Sequence, residues 1–171
     1  MAVKPIPEGF HTVTPYLMVQ GASKLIDFLK QAFEAEEIYR QTMPDGTIMH
    51  AQFRIGDSMV MMSEASGKYE PMPTMIYLYV EDVDTVYNRA LQAGATSVRE
   101  PTDEFYGDRS GGVKDVSGNQ WWIGTHIEDV SPEEMEKRTE AFMKQKGGGA
   151  EHAYCADPEG NLFGVLQPAS K

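Results

Sequence analysis

The strongest constraint in this chain is an internal repeat. Pro15-Tyr16-Leu17-Met18-Val19 is matched by Ile76-Tyr77-Leu78-Tyr79-Val80. Each run precedes a helical pattern. After the first, Leu25, Ile26, Leu29, Ala32 and Phe33 fall at helical spacing, with Ser23 as the expected N-cap. After the second, Val83, Val86, Tyr87, Ala90 and Leu91 do the same and stop at Gly94. Strand-like runs follow at Ala35 to Arg40 and Ala95 to Glu100, and hairpins turn at Gly56-Asp57 and Ser117-Gly118-Asn119. The chain therefore reads βαβββ twice, with a period of about 60 residues.

The expected fold class is α+β. Two tandem βαβββ modules, residues 10–65 and 74–127, form an incomplete curved barrel with helices outside. They make one domain over 1–127, joined by the linker Ala65 to Pro73. Ser131-Pro132-Glu133-Glu134 starts a further helix over 128–146, with Ser as cap and Pro at the first helical position. After Gly147-Gly148-Gly149, the tail 147–171 carries Asp157-Pro158-Glu159-Gly160-Asn161-Leu162-Phe163, an echo of Asp115-Val116-Ser117-Gly118-Asn119-Gln120-Trp121. It reads as one more closing hairpin without the rest of a module, either adding to a sheet edge or loosely attached.

Composition narrows function. A formal net charge of −11 repels phosphate backbones, and no basic patch offsets it, so nucleic acid is not an expected partner. No apolar run approaches the ~18 residues of a membrane span, and the N-terminus lacks an apolar signal core. With a single cysteine, Cys155, no intrachain disulfide is available, and a cytoplasmic location is expected. Cys155 has only His152 as a basic neighbour, which reads as an incidental thiol.

Side chains alternate across a strand. Leu17 and Val19 are expected under the first helix, with Thr14, Tyr16 and Met18 on the concave side. Ile76, Leu78 and Val80 are expected under the second, with Met75, Tyr77 and Tyr79 concave. In the third strand Met49, Ala51, Phe53 and Ile55 form an apolar face, and His50, Gln52 and Arg54 a polar one. Trp121 and Ile123 face the helices, and Trp122 faces the concavity. Tyr, Trp and Met with a few polar groups suit an aromatic or elongated organic ligand, and stacking would also accept a cationic one. The expected ligand-binding residues are Tyr77, Tyr79, Trp122, His50, Arg54, Thr14 and Tyr16. No catalytic residue is assigned. Asp108 and Arg109 read as a structural brace, and Glu100, Asp103 and Glu104 as a solvated loop.

The double βαβββ repeat and the closing motif Asp115-x-x-Gly118-Asn119-Gln120-Trp121-Trp122-Ile123 resemble the vicinal oxygen chelate superfamily, which includes glyoxalase, extradiol dioxygenases and bleomycin-resistance proteins. Phe105-Tyr106-Gly107-Asp108-Arg109, followed by Val113-Lys114-Asp115, resembles its phosphonate-operon-associated, bleomycin-resistance-like branch. The resemblance covers residues 10–127 and implies a homodimer. It also implies where a divalent ion would sit: Thr14, Met75, Trp122, and Val60 or Met61 occupy the four positions. None is His, Asp or Glu, so no metal or other cofactor is expected. The corresponding tail position is Gly164. A rebuilt site from His50 and Glu64 is a lesser alternative; His11 and His152 read as exposed. The residues favour a metal-free binding protein for a small organic molecule. The alternative is a divalent-metal enzyme of glyoxalase or dioxygenase type with non-standard ligands, and whether the chain is an enzyme stays open.

Overall fold

A computed structural model describes residues 3–146 and, as backbone, the strands 152–156 and 162–166. The first module contains β1 (Tyr16–Val19), α1 (Ala22–Phe33), β2 (Glu36–Thr42), β3 (Ile48–Ile55) and β4 (Ser58–Glu64). The second contains β5 (Met75–Tyr79), α2 (Val83–Gln92), β6 (Thr96–Asp103), β7 (Asp108–Lys114) and β8 (Gln120–His126). They form two four-stranded mixed sheets, ordered β1-β4-β3-β2 and β5-β8-β7-β6, not closed into a barrel. The first and last strand of each module pair in parallel, with Tyr16 opposite Met61 and Tyr77 opposite Trp122. Parallel neighbours need a crossover, which the helix supplies. The α+β architecture of two tandem modules is thus established.

The chain divides into two units, 1–127 and 128–171. In the second, α3 (Pro132–Lys146) begins at Ser131, whose hydroxyl accepts the Glu134 N–H at 3.3 Å. The Glu134 carboxylate does not close a capping box; it pairs with Arg138 one turn on. β9 (His152–Ala156) and β10 (Leu162–Leu166) form an antiparallel hairpin. The side chains of His152, Cys155 and Gly164's neighbours, and the turn at 157–161, lie outside the described residues.

One core serves both modules. Leu25, Ile26, Leu29, Ala32 and Phe33 of α1, and Val83, Val86, Tyr87 and Ala90 of α2, are buried against alternate residues of the strands. Trp121 is fully buried, with its ring centroid 4.9 Å from that of Phe33 in the other module. Its indole N–H donates to Asp115 Oδ2 at 2.8 Å, so the ring's one polar atom is satisfied. The other Asp115 oxygen accepts the Ser117 and Asn119 N–H groups and fixes the closing turn. Arg89 of α2 donates from Nε to the Ala32 carbonyl at 2.7 Å and pairs with Glu34 at 2.6 Å, joining the two helix ends.

The start of α1 differs from expectation. Its N-cap is Gly21, at φ 80°, not Ser23. No local side chain caps it. Instead, Glu64 at the end of β4 accepts the N–H groups of Gly21 and Ala22 at 2.7 and 2.8 Å. The residue in the same place in module 2, Thr125, accepts the Val83 N–H at 2.9 Å. A carboxylate on exposed helix-end donors is favourable through both hydrogen bonding and the helix dipole.

Two predictions follow from these contacts. Glu64→Ala should lower the unfolding free energy by about 1–2 kcal/mol, read as a reduced urea midpoint, and an unchanged midpoint would remove the cap from the account. Hydrogen bonding from Arg40, helped by Lys30 and opposed by desolvation, holds the Glu37 carboxyl down at about 2 against an ordinary 4.5. A depressed carboxylate stabilises the fold above its unfolded value and loses that contribution as pH falls toward the folded one. The stability gap between the parent and Glu37→Gln should therefore be full above pH 4.5 and close toward pH 2; urea melts across that range measure it.

Candidate functional site

The concave face of the second sheet carries most of the candidate chemistry. Alternation sends Trp121 and Ile123 of β8 to the core and leaves Trp122, Gly124 and His126 on the opposite face. Across the ladder, Gly112 faces Trp122, Ser110 faces Gly124 and Asp108 faces His126. Tyr77 and Tyr79 come from β5, with ring centroids 5.0 Å apart.

Two glycines shape this face. A Cβ on Gly112 would stand 3.2 Å from the Trp122 ring, and one on Gly124 would meet the Tyr77 hydroxyl and lie 2.9 Å from its ring. Absent those carbons, both rings lie close against the sheet. The outer side of Trp122 is covered: the Arg99 guanidinium of β6 sits 4.6 Å from the ring centroid. Arg99 also donates to the Ser110 hydroxyl at 2.7 Å and pairs with Glu104 at 2.5 Å.

Ser110, fully buried, is a hub. Its hydroxyl accepts from Arg99 at 2.7 Å and donates to Glu104 at 3.4 Å. Next to it, Asp108 is buried and doubly engaged. Tyr79 donates to its Oδ2 at 2.9 Å, and His126 Nδ1 lies 2.8 Å from Oδ1. Burial, foremost, pushes the phenols of Tyr77, Tyr79 and Tyr106 upward from their ordinary value, Tyr77 most. At neutral pH all three are donors.

Asp108 and Arg109 do not brace each other. Adjacent strand residues point to opposite faces, and Arg109 reaches Asp84 of α2 at 2.7 Å and Asp103 at 2.8 Å. Glu104 is not merely solvated, since it holds Arg99 on the concave side. Sequence reading missed Arg99, Glu104, Tyr106, Ser110 and His126. The signals it passed over were the Gly-Gly step of β7 and Gly124 in β8, small residues opposite large aromatics.

The first module is built differently. Tyr16 and His50 are together: the phenol oxygen is 3.3 Å from Nδ1, and Gln52 Nε2 is 3.0 Å from His50 Nε2. Tyr39 stacks loosely beyond, its ring centroid 6.2 Å from the imidazole. Thr14 donates to the His11 carbonyl at 3.1 Å, and Arg54 pairs with Glu36 on the exposed flank. Met49 is exposed rather than part of the apolar face formed by Ala51 and Phe53. A groove of about 760 Å³ is lined by Tyr16, Met18, Met43, Met49, Ser63 and Tyr69, among others. A second, of about 960 Å³, follows the outer edge of β5 past Tyr77 and Tyr79. Trp122 and Arg99 border neither.

The His50–Glu64 alternative meets two groups already engaged: both Glu64 oxygens accept from the start of α1, and the His50 nitrogens are bonded to Tyr16 and Gln52. Val60 is buried in the core, so Met61, opposite Tyr16, holds the concave position. Among the described residues no group of three or more His, Cys, Asp or Glu could hold a metal ion.

If Tyr77 owes its raised phenol to lying on Gly124, Gly124→Ala should lift the ring off the sheet and return its titration toward the ordinary tyrosine range. Ultraviolet titration of the phenolate, against the parent, measures this; an unshifted curve would show that the glycine is not what admits the ring.

Comparison with known proteins places this architecture. The profile of the Glyoxalase/Bleomycin resistance protein/Dioxygenase superfamily matches residues 9–123. An uncharacterized protein of Mycobacterium bovis is 36% identical over 148 residues, covering 80% of this chain and 95% of its own. One from Mycobacterium tuberculosis has the same identity and covers 85% of its own length. Among solved structures, TioX from Micromonospora sp. ML1 superposes with a TM-score of 0.60 at 26% identity, covering 68% of this chain and 99% of that one. A PhnB protein from Bacillus cereus, described as a putative 3-demethylubiquinone-9 3-methyltransferase, has a TM-score of 0.57 at 19% identity, covering 67% and 99%, and shares the fold. The matched profile spans both βαβββ modules, and the chain belongs to the Glyoxalase/Bleomycin resistance protein/Dioxygenase superfamily.

Proposed function

We propose that this chain binds a planar organic small molecule on its concave face, without the divalent ion of its metal-dependent relatives. The observation that carries the reading is the layer of Tyr77 and Trp122 laid on Gly124 and Gly112, with Arg99 over the indole. Two rings lying against the backbone, one of them under a guanidinium, offer a stacking surface to another ring. Tyr79 extends it along β5, and Tyr16, His50 and the thioethers of Met18 and Met61 give the first module a softer wall. Thr14 and Arg54 complete the expected contacts, at the margin of that wall.

The residues at the family's ion positions do not fit a metal. Thr14, Met61, Met75 and Trp122 offer one hydroxyl, two thioethers and an indole, and a hard divalent cation takes carboxylate, imidazole or water ligands. The reading is thus of a binding protein rather than a glyoxalase- or dioxygenase-type enzyme.

A homodimer accompanies this reading. Among the described residues β5 pairs only with β8, and its free edge, beside the partly buried Ile76 and Leu78, borders the larger groove, whose other wall is Phe33, Ile55, Met59 and Val60 of the first module. An unpaired edge flanked by apolar side chains is a surface that a second copy would cover. No helix among the described residues is long and apolar enough to cross a membrane, and a cytoplasmic location is part of the proposal.

Two measurements test it. Trp122→Ala should weaken binding of an aromatic ligand by about tenfold or more in calorimetry, while parent-like affinity would sink the assignment. Elemental analysis of protein purified without chelator or affinity tag should give divalent metal far below one per chain; near-stoichiometric zinc, nickel, iron or manganese would favour the metal enzyme instead.

A further inference from the structure

The charge of the ligand follows from an imbalance of hydrogen-bonding groups on this face. Its acceptors are used internally. Both Asp108 oxygens are engaged, by Tyr79 and His126, and Glu104 is held by Arg99 with the Ser110 hydroxyl at 3.4 Å. Its donors are not. Trp122 Nε1 and Arg99 Nε are both buried and have no hydrogen-bond partner among the described residues. A buried N–H without an acceptor is destabilising, so each of the two is a standing demand for an acceptor. They belong to stacked groups, the guanidinium 4.6 Å from the indole centroid.

Both carboxylates on this face, Asp108 and Glu104, are already engaged, and one unpaired cation stands beside them. Lys114 follows Gly112 by two residues on β7, which puts it on the same face, and it forms no ion pair among the described residues. Arg99, paired through Nη2 with Glu104, presents its guanidinium on the outer side of Trp122, where an ammonium ligand would find no free carboxylate. The Arg99 side chain is 40% exposed, which leaves the guanidinium room to slide as a ligand enters. The chain's overall charge of −11 argues for a cationic ligand only at long range; contacts at a few ångströms outweigh a field screened over a Debye length of about 8 Å.

We infer that the ligand of this face is an aromatic carboxylate, its ring stacked on the Arg99–Trp122 layer and its carboxylate accepting from Arg99 Nε and Trp122 Nε1, with Lys114 adding attraction. This rests on the reading above that the concave face is a ligand site. Guanidinium is well suited to the task, because its N–H groups lie in a plane and match a carboxylate edge.

The test compares three probes of one shape: 2-naphthoate, neutral 2-naphthalenemethanol and 2-naphthylmethylammonium. Affinity is measured by calorimetry, and the two indole N–H cross-peaks are followed in ¹⁵N-labelled protein. Naphthoate should bind about tenfold or more tighter than the ammonium, and move the Trp122 cross-peak downfield. Arg99→Gln should erase that preference. Arg99→Lys should keep part of the charge attraction and lose the cross-peak shift. The Trp121 cross-peak, bonded to Asp115, reports whether each variant is folded. If all three probes bind alike and perturb Trp122, the ligand site stands and the carboxylate preference falls. The preference falls equally if the ammonium binds tighter, or if naphthoate binds with the Trp122 cross-peak unmoved. If no probe perturbs Trp122, the ligand site falls with it.

Discussion

Everything in this protein hangs on a parallel pair repeated twice, first strand against last, closed by a helix. The register sets Tyr16 opposite Met61 and Tyr77 opposite Trp122. Once it is fixed, strand alternation sorts every neighbouring residue. Leu17, Val60 and Met62 go beneath one helix, and Trp121 and Ile123 beneath the other. Their neighbours go to the concave face with no further instruction. A slip of one residue would bury Trp122 and expose Trp121, so the hydrophobic pattern and the site specify each other. The last strand also completes the helix it packs on, since Glu64 and Thr125 supply acceptors to the first turns of α1 and α2.

The two modules share this frame and have parted in what they display. The first carries thioethers with a Tyr16–His50–Gln52 chain. The second carries phenols, an indole, a guanidinium and a buried carboxylate. Glycine makes the difference: Gln52 stands in β3 opposite Met61, and Gly112 stands in β7 opposite Trp122. Removing that side chain lets a large ring lie on the backbone. It also moves Arg99 into position above the ring, where its cation is partly stripped of water. Divergence of this kind costs the fold little, because it falls on the face that the shared core does not use.

Much of this could be read from residues in order. The repeat, both helices, the hairpin turns and the opposite destinations of Trp121 and Trp122 all follow from periodicity, which is local. The absence of His, Asp or Glu at the resemblance's ion positions needs only counting. What could not be read were contacts between residues far apart in the chain. Ser23 has the chemistry of a cap, but the cap is Glu64, more than forty residues on, delivered by the sheet. Asp108 and Arg109 look like a pair in sequence, yet the pleat sends one to the concave face and the other to α2. Arg99 carries no mark in the sequence; the ladder sets it above an indole from β8.

The sequence by itself determined the module count, the fold class and the face on which each strand residue falls, because these depend on periods of two and 3.6 that every local window carries. Only the tertiary structure decided which polar groups on that face are already satisfied and which are not. Satisfaction is a matter of distance between atoms on different strands. Asp108 is spent within the protein, while the Nε–H of Arg99 and the indole N–H of Trp122 are left without acceptors among the described residues.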